Sequence, residues 1–273
     1  MKKVICNIIR TVVSVLLLLI FFLPVYWLIL TAIKTMGQCY ETPPSFWVAN
    51  PAWENFKSAL DAIPFRDMLK SSLVVTVGVL VCQCLTVIPA AYGFARFRFK
   101  GQKVLFGLVL ATMMIPAQMI FLPVFLFFSK LGLINTYATL ILPHATSAFA
   151  IFMVRQAFMQ VPEDLIDAAK LDKASQGTII TKIMLPIARP TIITMALLTL
   201  ISTWNDYFWP FVMTTNNDVR TLPVGVTALR NVEGVINYPV MMAGNLLLVL
   251  PVIIAFLFAN KHIIKAFTYM GDK

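Results

Sequence analysis

Four acidic side chains stand close together in a polar stretch of an otherwise apolar chain, at a spacing that suits a short helix. They are Glu163, Asp164, Asp167 and Asp172. Pro162 suits the first position of a helix, and the acids that follow it lie where the helix dipole favours negative charge. Ser175 is a predicted N-cap for a second helix. We interpret residues 161–190 as a helix–turn–helix that faces another protein.

The two helices are predicted to have distinct faces. The first places on one face Leu165, Ala168, Ala169 and Asp172. The second repeats apolar residues at helical spacing, at Ile179, Ile180, Ile183, Met184 and Ile187, and is predicted to close at Pro186 and Pro190. The alternative is an amphipathic helix lying on lipid. The acids disfavour that alternative, because an anionic leaflet would repel them.

The rest of the chain has the composition of a membrane protein. Its 273 residues are 59% hydrophobic and 12% charged, with a mean hydropathy of +0.84. A membrane-spanning helix needs about 20 apolar residues, and we find six such runs, at about 11–33, 71–95, 104–129, 131–154, 190–217 and 234–260. We therefore predict an all-α polytopic membrane protein, with one transmembrane domain over residues 1–273.

Charge placement predicts the topology. If both termini are cytoplasmic, 15 of the 22 Lys and Arg residues lie inside and 7 outside, which follows the positive-inside rule. The helix–turn–helix then lies in a cytoplasmic loop, 156–189, and the large external loops are 34–70 and 216–238. This asymmetry explains the pI near 9.6 without nucleic-acid binding. The first apolar run has no small-residue cleavage site, and we interpret it as a retained span rather than a signal peptide.

A few polar residues interrupt the predicted spans. Among them are Gln118, His144, Ser147, Asn205 and Asp206, and Asp206 is the only formal charge inside any span. These residues are candidates for a solute pathway, because polar groups are costly in lipid. The alternatives are helix packing for Gln118, His144 and Ser147, and a hydrated acid in an aromatic belt for Asp206. Cys82 and Cys84 lie two apart on a helix and make a poor metal pair, so no metal site is predicted.

The polar stretch resembles a known motif. It is similar to the "EAA" loop of permease subunits in binding-protein-dependent ABC importers, which reads approximately E-A-A-x-x-D-G-A and then L-P-x-x-x-P. Further segments resemble the carbohydrate branch of that family and its MalG-like subunit: YGFARFRFKG, ATMMIPAQ, LGLINTYATLILP, RQAF, STWNDYFWP and TLPVGV. They occur in the family's order along almost the whole chain. Two departures are Asp167 in place of Glu and Lys173 in place of Gly, which leaves the turn without its most permissive residue.

The resemblance implies a mechanism and a set of partners. A second permease subunit would complete the pathway, two ATP-binding subunits would dock on the cytoplasmic loop, and an extracellular or periplasmic binding protein would deliver solute. The implied coupling residues are Glu163, Asp167, Ala168, Ala169, Asp172, Lys173, Ala174 and Ser175. The implied contacts with the binding protein are Asn231 and Glu233. The implied location is the bacterial cytoplasmic membrane, among its lipids.

The sequence has no P-loop, G-x-x-x-x-G-K-[ST], so ATP and Mg²⁺ are expected on the partner subunits and no cofactor on this chain. The expected function is uptake of a sugar or related polar solute, without catalysis by the chain alone. An ion-coupled secondary transporter is the alternative, but it would need a buried acid or His relay near the midplane. An integral membrane enzyme is disfavoured, because His144 and His262 are the only histidines.

Overall fold

Helices form every regular element in the part of the chain that the structure describes. The computed structural model describes residues 2–231 and 236–268, with side chains for 6–230 and 236–258. The helices are, in order, α1 Lys2–Ala32, α2 Met36–Cys39, α3 Glu54–Asp61, α4 Phe65–Arg96, α5 Gln102–Thr112, α6 Ala117–Lys130, α7 Tyr137–Ile141, α8 Ala148–Met159, α9 Glu163–Leu171, α10 Gln176–Ile179, α11 Leu185–Ile187, α12 Arg189–Trp204, α13 Phe208–Met213, α14 Leu222–Ala228 and α15 Tyr238–Thr268. Short 3₁₀ turns follow α7 and α14. The predicted all-α fold is confirmed.

Within the described residues, three helices are long and apolar enough to cross a membrane without a break, and three bent pairs reach that length together. The continuous segments are Cys6–Ala32, Phe65–Arg96 and Tyr238–Phe258. The bent pairs are α5 with α6 at 93°, α7 and its 3₁₀ turn with α8 at 44°, and the α10–α11 segment with α12 at 83°. If each bent pair is one span, the total is six, as the apolar runs predict.

The third apolar run, 104–129, is not one straight helix. It breaks between α5 and α6, where Pro116 has extended backbone at φ −61° and ψ 132°. A proline disfavours helical backbone in the residue before it, so Ile115 cannot easily continue α5. A hydropathy average does not reveal this break, because Met113, Met114 and Ile115 keep the region before Pro116 apolar.

The fourth span is shifted along the chain from the predicted 131–154. Residues before Tyr137 form a loop in which Gly132 and Asn135 both have positive φ. At the other end α8 runs through Arg155 to Met159. The Arg155 guanidinium lies 4.3 Å from the ring centroid of Phe106 and its Nε donates to the Phe94 carbonyl at 3.1 Å. These contacts stabilise the charged Arg155 inside α8. The hydropathy pattern had instead predicted that the span ends just before this residue.

The fifth predicted span, 190–217, is also divided. Pro186 lies inside α11 and does not close the preceding helix, contrary to the prediction. A π-helical segment, Ile180–Met184, comes just before α11, and at its end the Leu185 amide donates to the Ile180 carbonyl. The chain turns at Ala188, and Pro190 falls in the first turn of α12, where a proline is tolerated. Helix α12 ends at Trp204 rather than near residue 217.

The chain divides into two compact units. The first comprises Met1–Phe65 and Val224–Pro251, and the second comprises Arg66–Pro223 and Val252–Lys273. In the first unit, the Asn55 amide donates to the carbonyls of Ala32 and Lys34 at 2.9 and 2.8 Å, which satisfies carbonyls left free where α1 ends. In the second unit, α4 presents a buried stripe at helical spacing that includes Ser72, Thr76, Val79, Gln83 and Val87. Polar side chains on this stripe face protein rather than lipid.

Candidate functional site

The helix–turn–helix is closed by a left-handed residue at Lys173, where φ is 57°. The Lys173 amide donates to the Lys170 carbonyl and the Ala174 amide to the Ala169 carbonyl, both at 2.9 Å. This pair of bonds is a Schellman motif, which normally has glycine at the left-handed position. Ser175 then accepts a hydrogen bond from the Thr178 amide at 3.2 Å, which confirms the predicted N-cap. The chain therefore forms this turn with a lysine in the left-handed position.

The two alanines of α9 lie on different sides of the helix. Ala169 is 8% exposed and packs, with Ile166, into the protein's own hydrophobic core. Ala168 is exposed, as are Leu165 at 46% and Leu171 at 84%. The prediction that Ala169 faces a partner together with Ala168 is wrong, because Ala169 packs inward beside Ile166. Pro162 is the N-cap of α9 and not its first helical residue.

Side chains of α4 hold the helix–turn–helix in place. The Tyr92 hydroxyl donates to the Gln176 side-chain carbonyl at 2.5 Å, at the start of α10. The Arg96 guanidinium donates to the carbonyls of Phe158 and Val161, each at 2.5 Å, on the segment that leads into α9. Both ends of α9 are thus tied, through neighbouring residues, to the end of one long helix.

The outward face of α9 carries an ordered charge pair. The Lys170 ammonium donates to the Asp167 carboxylate at 2.8 Å. This hydrogen bond raises the pKa of Lys170 above its usual value. Both groups are more than half exposed, so the pair contributes little to stability. Glu163, Asp164 and Asp172 are exposed beside it and leave the surface around Leu171 acidic.

A second polar group of residues, which we name the polar centre, comprises Gln83, Thr86, Thr199 and the carbonyls of His144 and Ala145. The Gln83 amide donates to the His144 carbonyl at 3.0 Å and accepts from the Thr199 hydroxyl at 2.7 Å. The Thr86 hydroxyl donates to the Ala145 carbonyl at 2.8 Å. The bend before α8 frees these carbonyls, and α4 satisfies them, as apolar surroundings require.

The side chains of His144, Asp206 and Trp209 meet next to the polar centre. The His144 ring lies 5.5 Å from the Trp209 ring, edge to face, and its Nε2 is 3.9 Å from Asp206 Oδ2, beyond hydrogen-bond distance. Asp206 Oδ1 accepts from the Trp209 amide at 3.2 Å, and the Trp209 indole donates to the Thr139 carbonyl at 2.8 Å. Asp206 therefore occupies a break between α12 and α13 rather than a helix interior.

Comparison with known proteins assigns the chain. The family described as "Binding-protein-dependent transport system inner membrane component" matches residues 87–269, which include the whole helix–turn–helix and, of the polar centre, His144, Ala145 and Thr199. The chain belongs to this family. It is a permease, and the resemblance of its motifs is confirmed.

Two similar permeases and one solved structure align over most of the chain. The arabinooligosaccharides transport system permease protein AraQ of Halalkalibacterium halodurans is 36% identical over 203 residues, which are 74% of this chain and 72% of AraQ. The lactose transport system permease protein LacG of Rhizobium radiobacter is 29% identical over 89% of this chain and 88% of its own. The crystal structure of a bacterial ABC transporter involved in the import of alginate has a similar fold, with a TM-score of 0.81, 24% identity and coverage of 95% and 97%.

The remaining predicted residues of the permease lie apart from one another. Gln118 is exposed in the first turn of α6 and makes no hydrogen bond among the residues that the structure describes. Ser147 is the N-cap of α8 and accepts from the Ala150 amide at 3.2 Å. Asn205 is exposed and donates to the Ile201 carbonyl at 2.9 Å, where α12 ends. The Asn231 side chain and the whole of Glu233 lie outside the described residues.

Sequence reasoning missed the members of the polar centre that α4 and α12 supply. Gln83 and Thr199 are 6% and 7% exposed and lie 116 positions apart, in two different predicted spans. A signal was present in α4, because Ser72, Thr76 and Gln83 recur on one helical face. Polar residues at that spacing in a span indicate a face turned toward other helices.

Proposed function

We propose that this permease forms part of the pathway of an ATP-driven importer for a sugar or related polar solute, in a bacterial cytoplasmic membrane. A second permease subunit completes the pathway. Both termini and the helix–turn–helix face the cytoplasm, an orientation supported by the excess of Lys and Arg on that side. The solute class is supported by the printed activities of AraQ and LacG.

The ATP-binding subunits dock on α9. The observation that carries this proposal is the outward face of Leu165, Ala168 and Leu171, exposed on a helix whose other face is anchored to its own protein. An apolar side chain that is 84% exposed, within an acidic rim, suits a partner groove better than water. The partner subunits hold ATP and Mg²⁺. In this chain, α9 transmits their movement to the rest of the permease.

The pathway passes His144 and Asp206, and Gln118 and Asn205 present further polar groups to it. The region combines a partly exposed acid with a partly exposed imidazole, and the buried Trp209 ring packs against that imidazole. Such polar groups can bond to the hydroxyls of a sugar. Asn231 and Glu233 contact the external binding protein, on which the family depends by its description.

The docking proposal is tested by substitutions at two exposed positions of α9. Ala168→Trp should insert in the membrane at normal levels but lose the ATP-binding subunits on purification, whereas Ala168→Ser should retain them. Leu171→Asp should behave like the tryptophan variant, because it adds charge to an apolar contact. Retention of the ATP-binding subunits by both disruptive variants would overturn the docking proposal.

The energy source is tested in proteoliposomes. Uptake should require the binding protein on one side of the membrane and ATP on the side of the ATP-binding subunits. It should persist when a protonophore dissipates the proton gradient. Uptake driven by an ion gradient without ATP would instead establish the secondary-transporter alternative.

A further inference from the structure

The first unit contains a cavity where α1 ends. Its volume is about 220 Å³, and it is lined by Trp27, Lys34, Cys39, Tyr40, Tyr238 and Met242. Lys34 follows two residues after the apolar helix Cys6–Ala32, which is long enough to cross the membrane. Trp and Tyr side chains concentrate at the boundary between lipid and water. The cavity therefore lies at one membrane interface.

Lys34 brings a buried positive charge to this cavity. The residue is 1% exposed, its ammonium donates to the Ser45 carbonyl at 2.7 Å, and it lies 4.8 Å from the Trp27 ring centroid. Among the side chains that the structure describes, no carboxylate lies within 4.0 Å of it. An ammonium has three donors, and a buried charge without a counter-charge is costly. The site is thus complementary to an anion.

An apolar groove continues from the cavity. It is lined by Leu23, Pro24, Leu28 and Phe46, and it shares Trp27 and Met242 with the cavity. Leu23 is 54% exposed and Phe46 60% exposed, so the groove opens outward from the surface of α1. The Tyr26 hydroxyl bonds to the Phe46 carbonyl, and the Trp27 and Phe46 rings meet edge to face at 5.5 Å, which fixes the wall of the groove.

We propose that this cavity and groove bind one anionic phospholipid, with its phosphate at Lys34 and an acyl chain along Leu23, Leu28 and Phe46. A cationic cavity at the membrane interface, joined to an apolar groove beside a spanning helix, matches the two parts of such a molecule. A soluble anion would use Lys34 but leave the groove unexplained. A zwitterionic lipid would fill the groove but bring its own positive charge toward the ammonium.

The binding test uses the full-length permease, purified with whatever subunits accompany it, in nanodiscs of phosphatidylglycerol and phosphatidylcholine. Native mass spectrometry after gentle delipidation should show a retained phosphatidylglycerol. Lys34→Gln removes the positive charge and should weaken that retention about tenfold, the effect of one charge-assisted hydrogen bond. Lys34→Arg should restore it. The exposed Lys57→Gln, on α3, should have no effect.

A second measurement does not depend on how the charge variant folds. A photoreactive benzoylphenylalanine in place of Leu28, with Lys34 unchanged, should cross-link to phosphatidylglycerol. Cross-linking to another polypeptide would overturn the proposal, because a protein partner would then fill the groove. Equal retention of both lipids, equal loss in Lys57→Gln, or release of the lipid by millimolar inorganic phosphate alone would also overturn it.

Discussion

The guanidinium of Arg96 donates a hydrogen bond of 2.5 Å to the carbonyl oxygen of Phe158. The same nitrogen donates to the carbonyl of Val161, also at 2.5 Å. Phe158 lies in the last turn of α8, and Val161 lies two residues before α9 begins, so one side chain satisfies carbonyls that the end of a helix leaves without partners. Arg96 therefore sets the angle at which the chain leaves α8 and enters α9.

Replacing Arg96 should loosen this angle. Arg96→Gln removes the charge from both hydrogen bonds and should lower the free energy of unfolding by about 1–3 kcal/mol. Without this link, a movement of α9 would displace α4 less. Transport should therefore fall more than ATP hydrolysis. The matched control is Arg98→Gln, two residues on and exposed. Equal ratios of transport to hydrolysis in the two variants would contradict the role assigned to Arg96.

The hydrogen bond between Gln83 and Thr199 should couple α4 to α12 energetically. Gln83→Leu leaves both the Thr199 hydroxyl and the His144 carbonyl without a partner, and it should cost about 1–3 kcal/mol. Thr199→Val should cost less, because the Gln83 amide can still reach His144. A double-mutant cycle by thermal unfolding in detergent should give a coupling of about 0.6 kcal/mol, typical of polar pairs between membrane helices. Strictly additive losses would show that the two side chains do not interact.

Cys39 should report the charge of Lys34. Burial raises the pKa of the Cys39 thiol, and the nearby Lys34 ammonium lowers it in part. With Cys39 as the only cysteine, its alkylation rate should therefore rise with pH at a higher midpoint than a free thiol. Lys34→Gln removes the opposing charge, so the midpoint should move to still higher pH. The measurement is the midpoint of the curve of alkylation rate against pH. A change in how easily the reagent reaches Cys39 would alter only the maximum rate and not this midpoint. A midpoint unchanged from wild type, or the same shift in Lys57→Gln, would contradict this arrangement.

Features that depend on local composition were predictable from the sequence. Six apolar runs and the cap at Ser175 follow from residues within a few positions of one another. The resemblance to the family pointed to a turn near Lys173 but left its geometry open, and the structure places the left-handed residue there. Hydropathy failed where a tertiary contact overrides composition. Arg155 stays within α8 because Phe106 and the Phe94 carbonyl receive its guanidinium, and the sequence gives no sign that these residues meet.

In the candidate site, too, features set by local composition were predictable, and features set by tertiary contacts were not. The acidic helix–turn–helix stands out by composition, but the orientation of α9 depends on Ile166 and Ala169, which pack into a core built from distant helices. Asp206 was visible as an isolated charge, and its neighbour His144 as a rare histidine. Their approach to within 3.9 Å required the bend before α8 and the break after α12, neither of which has a strong local signal.

Lys173 should tolerate glycine but not proline. Left-handed backbone at a non-glycine residue costs about 1 kcal/mol, which Lys173→Gly relieves, while the loss of a cation at the end of α9 costs about 0.3–1 kcal/mol. These effects nearly cancel, so thermal stability and transport should remain close to wild type. Lys173→Pro fixes φ near −65° and removes the hydrogen bond to the Lys170 carbonyl, so it should abolish transport. As a control, Lys170→Gly inside α9 should lower the free energy of unfolding by about 1 kcal/mol. Severe loss of transport in an assembled Lys173→Gly transporter would instead establish that the ammonium itself contacts the ATP-binding subunit.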